Sequence, residues 1–461
     1  MRRRSETLLA FALWLIGFAS GQTLPDTSRE LNNTYTDATQ ALRRQEFQTA
    51  ANLARRMISL CPRCRMGHAI LAAALMELNQ LADAQLAAEE EVKINPADPI
   101  AYKTLGNVYA REHELEKAAV QFQKAAEINP RDYDVHVALG KLLREQKKYK
   151  EALAELAKGL AISPDNPSAL LVQGECEVDL GNTSKGIAEM QQAVSASTSP
   201  EPWNSAAYEL ADHDLDLEQA QKWSETSIDL TVALLRNVSV EHLGPAQLRV
   251  IPSIGSYWDT FGWILYKRAN YAAAREYLEA AWSLRPIPVI GNHLGRTYEK
   301  LDRREDAART YAMAIAAADL PSRSARSANL LDEIRGRLAK VAAPDANIEY
   351  LVRAGRVDLK RMNSVDVPNS AHAGGSTELA LKIEGDKITD FRTISGSTSV
   401  TYAAEGILGL KLPLKMPQGP LPRRGVISCQ AEQSQCRLRM LSAEDAMNAA
   451  IEDDVKTAPS K

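Results

Sequence analysis

Four of the five cysteines have a spacing that supports disulfide or thiol chemistry. Cys61 and Cys64 form a Cys-x-x-Cys pair, which serves either as a disulfide or in thiol–disulfide exchange. Because the pair follows a helical pattern and lacks the strand–helix–strand setting of redox motifs with this spacing, we expect a structural disulfide or unreactive thiols. Cys429 and Cys436 flank a short polar segment between two strand-like runs, where a disulfide would close a hairpin. Cys176 lies in a helical core pattern and is expected to be inert.

The other candidates for chemistry show no catalytic or metal-binding spacing. The sequence contains no Gly-x-Ser-x-Gly turn, no glycine-rich phosphate loop, no His-Glu-x-x-His motif and no cluster of zinc ligands. The histidines are scattered, and His68 and His136 take positions where core packing is expected. Arg423, Arg424 and His372 offer no evident nucleophile or base. We therefore predict a protein that is not an enzyme and has no cofactor, metal or small-molecule substrate; an accessory or cryptic enzyme with its site in the C-terminal module is the alternative.

The elements that position these residues are predicted to be mostly helical. Aromatic residues make up only 6% of the chain, and alanine-rich windows fill its first two thirds, which favours close-packed helices over sandwich or barrel cores. A net charge of -4 gives no electrostatic support for nucleic-acid binding. At 461 residues the chain exceeds the size at which a single core keeps growing, so we expect a repeat array or two domains.

The N-terminal segment, residues 1–21, predicts export. Three arginines at positions 2–4 precede an apolar run over residues 8–19, which is followed by Ala19-Ser20-Gly21. This order is typical of a cleaved signal peptide, here residues 1–21. The run is shorter than the roughly 20 residues that span a bilayer, so we expect a periplasmic or secreted protein with no stable membrane span after cleavage. An uncleaved anchor is the alternative.

Prolines recur at equal intervals, at Pro62, Pro96, Pro130 and Pro164. A constant interval of about 34 residues indicates stacked helical repeats. One unit, residues 99–130, carries Tyr102, Leu105, Gly106, Tyr109, Ala118, Phe122, Ala125 and Pro130. A second unit, residues 255–286, has Trp258, Phe261, Gly262, Leu265, Ala274, Leu278, Ala281 and Pro286 at the same places. The small residues allow two helices to approach, and the proline ends the second helix.

These positions resemble the tetratricopeptide-repeat (TPR) family place by place. The resemblance implies a mainly α protein: a right-handed α-solenoid of about eight TPR helix pairs over residues 31–341. About 20 extra residues near 230–254 are expected to lengthen one helix and add a loop. A helix over residues 324–341 is predicted to cover the last repeat, because its apolar face would otherwise meet water.

The C-terminal part changes to strand-like alternation. We predict a linker over residues 344–370 and a small α+β domain over residues 376–453. Strands are expected over residues 379–383, 388–394, 425–430 and 436–441, with a hairpin turn at Gly385-Asp386 and a short helix over residues 399–408. This order resembles the C-terminal domain of TonB-type envelope proteins; another small α+β module is the alternative.

The resemblance also implies where partners bind. Members of the family hold extended peptides or helices on the concave side that the first helices of the repeats form. Two copies place basic and amide groups on this side, namely Lys103, Asn107, Arg111, Lys141 and Arg144. These groups predict a groove for an acidic segment; an ordinary solvated face is the alternative. Lys103 and Asn107 resemble part of the family's carboxylate clamp. The third clamp position, where the family has an asparagine, is Ala138, so a complete clamp is absent.

Trp263 and Tyr266 form a second candidate patch, since aromatic rings on a groove are efficient anchors; packing against the insertion is the alternative.

The leading hypothesis is an exported scaffold or adaptor in the bacterial cell envelope that binds protein or peptide partners. A secreted eukaryotic repeat protein is a further reading, based on the Asn-x-Ser/Thr triplets at Asn32, Asn182 and Asn237.

Overall fold

The structure is a computed structural model that describes residues 26–248, 250–318, 328–369, 372–412 and 416–441. The predicted signal peptide lies outside these residues. Within them, no helix has both the length and the apolar character that crossing a membrane requires. The chain forms two compact units that divide between Ile128 and Asn129.

Helix pairs joined by short turns make up most of both units. The first unit contains α1 (Asp26–Arg43) with α2 (Phe47–Leu60), α3 (Gly67–Glu77) with α4 (Leu81–Ile94), and α5 (Pro99–Arg111) with α6 (Leu115–Ile128). The second unit begins with α7 (Tyr133–Glu145) and α8 (Tyr149–Ile162), α9 (Pro167–Asp179) and α10 (Thr183–Ser195), and α11 (Pro200–Asp212) and α12 (Leu217–Arg236). After α13 (Pro245–Leu248), two more pairs follow: α14 (Val250–Lys267) with α15 (Tyr271–Leu284), and α16 (Pro288–Lys300) with α17 (Arg304–Ala317).

The turn inside each of these pairs contains a residue in the left-handed conformation, the usual way to end a helix tightly. These residues are Gln45, Asn79, His113, Lys147, Gly181, Asp214, Ala269 and Asp302, and the turn with Asp214 has a second positive φ, at Asp216. The first five follow one another at the same interval as the prolines. The predicted repeat period is therefore also the period of the backbone.

Close approach within a pair depends on the small residues of the repeat. In α6, Ala118 and Ala125 have no exposed surface and Phe122 is 1% exposed. A Cβ atom at Gly106 of α5 would lie 2.9 Å from Cε1 of Phe122, so only glycine fits there without displacing the ring.

The inserted residues near 230–254 lengthen α12 to 20 residues and add a 3-10 turn over Val240–His242 and the short α13. Two further helices follow the last pair: α18 (Ala328–Val341) and α19 (Ile348–Arg361). Ile334 and Leu338 of α18 are fully buried, as a covering helix requires.

The prediction of a linker over residues 344–370 is wrong, because α19 and strand β1 (Ser364–Pro368) lie inside it. A Cβ atom at Gly355 would lie 2.7 Å from the backbone carbon of Ala312, so α19 contacts α17 backbone to backbone. Most of α19 is polar and exposed, with only Val352 and Gly355 buried. The partly buried Ile348, Leu351 and Leu359 pack against the same core, so the apolar residues of α19 do recur at helical spacing and the linker prediction overlooked that pattern.

The C-terminal sheet has five strands in the order β1-β5-β4-β2-β3, all antiparallel. Besides β1 it contains β2 (Gly375–Glu384), β3 (Lys387–Gly396), β4 (Pro420–Cys429) and β5 (Gln435–Met440), with α20 (Thr398–Ala404) between β3 and β4. Gly385, at φ +61°, makes the turn between β2 and β3. The predicted fold class, helical repeats followed by a small α+β module, is confirmed.

The sheet folds back onto the second unit's helices. One continuous core contains Leu235 and Leu248 of the inserted region, Trp282 of α15 and Leu381 of the sheet. A Cβ atom at Gly419, which has φ +71°, would lie 2.9 Å from Cγ1 of Val232 in α12. The inserted residues therefore serve as part of the platform on which the sheet rests.

All five cysteines have the predicted structural character. Cys61–Cys64 and Cys429–Cys436 are disulfides, with Cα atoms 5.3 Å and 4.3 Å apart. Cys429 and Cys436 are register partners on β4 and β5, so their disulfide closes the hairpin. Cys176 is a free and buried thiol whose pKa burial raises to about 12, which leaves it protonated and unreactive at neutral pH.

Candidate functional site

The first helices of the second unit place a chain of polar side chains at the repeat's inner-face positions. Arg144, at the twelfth place of its repeat on α7, reaches the next two first helices. Its Nη1 donates to Glu175 at 2.8 Å, its Nε to Asp179 at 2.8 Å, and its Nη2 to Glu209 at 2.7 Å. One guanidinium thus links three successive repeats by charge-assisted hydrogen bonds.

This Arg144 cluster is largely shielded from water. The side chain of Arg144 is 26% exposed, and those of Glu175, Asp179 and Glu209 are 11%, 15% and 9% exposed. Burial raises the pKa of Glu175 to about 7, against the lowering effect of Arg144, and the nearby Glu209 charge raises it further. Burial also raises the pKa of Glu209. Three carboxylates share one full countercharge, so protonation of one of them relieves repulsion.

The Glu175→Gln variant is expected to be about 1–2 kcal/mol more stable than the wild type at pH 8, with no difference at pH 4. The carboxyl of Glu175 has a pKa near 7 in the folded protein against an ordinary value of 4.5. Folding therefore takes up protons between these two pH values, and the free energy of unfolding falls as the pH rises through them. Glutamine does not titrate, but it loses the charge-assisted bond to Arg144, which limits the gain.

Urea unfolding at pH 4, 6 and 8 measures this effect. Glu276→Gln, which changes an exposed carboxylate on α15, is the control and should keep the wild-type pH dependence. A Glu175→Gln variant that loses as much stability as the wild type between pH 4 and 8 would contradict the assignment.

The same cluster offers one grouping with metal-ligand chemistry. Ligand atoms of Asp179, Glu209 and His213 all lie within 4.8 Å of one another. Arg144 already donates to both carboxylates, and a guanidinium in that place opposes a second cation. The arrangement fits a structural ion cluster better than a metal centre.

Trp263 lies in a stack of rings and cations on α14 and α16. It is 3% exposed. Its ring stacks on His293 at 4.2 Å and on Tyr266 at 4.8 Å between centroids. The guanidinium of Arg296 lies 4.9 Å from the Trp263 centroid, and Nζ of Lys267 lies 5.2 Å from it. Trp263 therefore holds neighbouring groups in place, whereas the half-buried Tyr266 keeps surface available.

His293 extends this stack into the core. Its Nδ1 lies 2.9 Å from Oδ1 of Asp259, and the side chains of His293 and Asp259 are only 6% and 9% exposed. A carboxylate bonded to one ring nitrogen fixes the orientation of the imidazole, which in turn supports the Trp263 ring. Trp263 also belongs to the buried cluster that contains Leu210 of α11 and Trp223 of α12, and its role as a partner anchor stays a prediction.

The remaining candidates differ in exposure. On α5, in the first unit, Asn107 and Arg111 are exposed and Lys103 is half-buried; on α7, in the second unit, Lys141 is exposed. The predicted candidates Lys141, Tyr266 and Asn107 thus keep surface for a partner, whereas Arg144 and Trp263 are engaged in internal contacts.

Sequence reasoning missed the carboxylates and the histidine around Arg144. Their position within the repeat could have identified them. Glu175 and Glu209 take the ninth place of their copies, and Asp179 and His213 take the thirteenth, which are inner-face places. These copies are degenerate in the large and small residues that identify a repeat, so the sequence marks their inner-face positions only weakly. The structure brings Arg144 together with them and leaves only 26% of its side chain exposed.

Comparison with known proteins agrees with the repeat geometry. Family models described as the tetratricopeptide repeat match residues 70–133, 103–167 and 143–207. Residues 70–207 therefore consist of tetratricopeptide repeats. No curated protein matches its sequence.

Many solved structures are similar to parts of the chain. The MamA protein is 16% identical, with 37% of this chain and 92% of that chain covered at a TM-score of 0.32. YrrB, described as a TPR protein with an unusual peptide-binding site, is 20% identical, with 39% and 93% covered at a TM-score of 0.32. TTC0263, a TPR protein of Thermus thermophilus, is 18% identical, with 42% and 97% covered at a TM-score of 0.33.

Proposed function

We propose that this protein is a non-enzymatic scaffold that binds protein or peptide partners through the inner-face side chains of its first helices. The observation that carries the proposal is the run of tetratricopeptide repeats with exposed polar side chains at inner-face places. Asn107 and Arg111 on α5 offer an amide and a cation to a carboxylate or a backbone carbonyl. Lys141 on α7 adds a cation in the second unit.

Tyr266 contributes a different kind of contact. It is half-buried, and the guanidinium of Arg296 lies 5.6 Å from its ring centroid. A ring with a cation beside it suits a partner that carries both an apolar and an acidic side chain. Together with Lys141 on α7 of the same unit, this supports an acidic peptide segment as the partner.

Export to the bacterial cell envelope is the second part of the proposal. The charged and apolar order of residues 1–21 supports a cleaved signal peptide. Two disulfides, Cys61–Cys64 and Cys429–Cys436, are compatible with an oxidising compartment. The resemblance of the C-terminal module to TonB-type domains stays a prediction.

Site-specific photo-crosslinking in the native host tests the proposal. A photoreactive amino acid at Asn107 is expected to give a discrete crosslinked band, because this exposed side chain lies on an inner-face place. The same amino acid at Gln123, which is exposed on the second helix of the same pair, is the matched control and should give none. In the same preparation, the mature chain is expected to begin at Gln22 in the envelope fraction. Equal crosslinking at both sites would argue against inner-face binding, and an intact N-terminus would argue against signal cleavage.

A further inference from the structure

A cavity of about 460 Å³ lies between the C-terminal sheet and the last helix pairs of the second unit. Its volume falls within the range of about 300–1,000 Å³ that is typical of small-molecule sites. Its mouth carries Arg309, Asp358 and Arg361, and its depth is lined by Trp282, Met313, Met416, Arg423 and Met440. None of the proposed partner-binding residues lines it, so the cavity is independent of the scaffold surface.

Arg423 is the unusual group in this cavity. It lies on β4, its side chain is 2% exposed, and its Nη2 donates to the carbonyl oxygen of Leu441 at 2.8 Å. Its Nη1 has no hydrogen-bond partner among the described residues. Burial lowers the pKa of Arg423 to about 10, and no carboxylate of the described residues acts against it. A buried cation without a counter-charge is costly and is normally paired.

The neighbouring Arg424 shows what pairing looks like in the same strand. Successive strand residues point to opposite faces of a sheet, and Arg424 forms an ion pair with Glu378, with Nε and Oε1 2.8 Å apart. Arg424 therefore has a reason to be buried within the protein. Arg423 has no ion-pair partner in the part of the chain that the structure describes, and its guanidinium lines the cavity.

Three of the other charged groups around the cavity have partners within the protein, and Arg361 at the mouth is exposed to solvent. Nε of Arg309 lies 2.7 Å from Oδ2 of Asp358, and the hydroxyl of Tyr298 donates to Glu279 at 2.7 Å. Trp282 supplies a second buried donor, since its Nε1 has no partner among the described residues. The depth of the cavity thus presents one uncompensated positive charge, a further N–H donor and methionine side chains, which adapt well to irregular apolar ligands.

We propose that this cavity binds a small organic carboxylate with an apolar body, with the carboxylate on Arg423 and the body along Met313, Met416 and Met440. One unpaired guanidinium matches one negative charge. The bond from Nη2 to Leu441 holds the guanidinium in place, so little rotamer entropy is lost on binding. An apolar body fits because burying it against the methionines releases water.

Calorimetric titration of the full chain with decanoate, decanol and decylamine tests this proposal. Decanoate is expected to bind at one site and at least about tenfold more tightly than decanol, the value of a charge-assisted hydrogen bond. Decylamine should bind most weakly, because its cation faces Arg423. Equal binding of decanoate and decanol would overturn the proposal.

Variants locate the site. Arg423→Met should abolish the preference for decanoate over decanol, whereas Arg437→Met, which removes an exposed arginine paired with Asp366 on the same sheet, should preserve it. If Arg423→Met does not fold, Met416→Trp carries the test, because the larger side chain fills the cavity and should weaken decanoate binding about tenfold or more. Unchanged decanoate binding in the folded variants would overturn the assignment.

A peptide ending in a free leucine carboxylate that competes better than decanoate would overturn the choice of a small molecule as ligand.

Discussion

Replacing Arg144 with methionine is expected to lower the free energy of unfolding by about 3–5 kcal/mol at pH 8. The variant keeps an aliphatic side chain but leaves three largely buried carboxylates, Glu175, Asp179 and Glu209, without their shared countercharge. Removing one partner of a buried ionic group costs far more than the pair itself contributes, because the remaining charges stay desolvated. Urea unfolding followed by circular dichroism measures the change.

Two comparisons distinguish this explanation from a general loss of charge. Arg335→Met, which removes an exposed arginine paired with the exposed Glu349, should cost less than about 1 kcal/mol. Adding Glu209→Gln to the Arg144→Met variant should restore part of the lost stability, since it removes one uncompensated carboxylate. An Arg144→Met variant no less stable than Arg335→Met would show that the cluster does not hold the repeats together.

Replacing Trp263 with alanine is expected to cost about 3–5 kcal/mol as well. The side chain is 3% exposed and stacks on both His293 and Tyr266, so its removal leaves a cavity and frees its ring neighbours. Thermal unfolding and the urea midpoint both measure this effect.

A conservative variant and an exposed aromatic residue serve as controls. Trp263→Phe should recover most of the stability, because a smaller ring still stacks on His293. Tyr350→Ala, at a side chain that is 65% exposed, should change stability by less than about 0.5 kcal/mol. If Trp263→Ala unfolds like the wild type but loses its partner crosslink, the residue is an anchor and its packing role is wrong.

Much of the fold could be predicted because its signals are local. The constant proline interval, the large ring at Phe122 and the small residue at Gly106 all come from contacts within one helix pair. The strands were predicted from alternation, and β1 was missed since it has only five residues. The helix α19 was missed although its apolar residues recur at helical spacing. The two disulfides follow the same rule, because each joins cysteines within one turn or one hairpin.

The candidate site was less predictable because its contacts cross repeats. Arg144 and Glu209 are 65 residues apart and belong to repeats that are not adjacent. Repeat position places both on the inner face, but it does not say whether a guanidinium there meets solvent or a carboxylate.

The sequence by itself therefore determined the repeat architecture, the small C-terminal module and the inner-face positions, since periodicity, residue size and alternation act over one or two turns of chain. Only the tertiary structure decided which of those positions remain exposed and that Arg423 is buried with no counter-charge among the described residues. Both outcomes depend on how distant elements pack, and burial changes the energy of a charge more than any feature of its local sequence does.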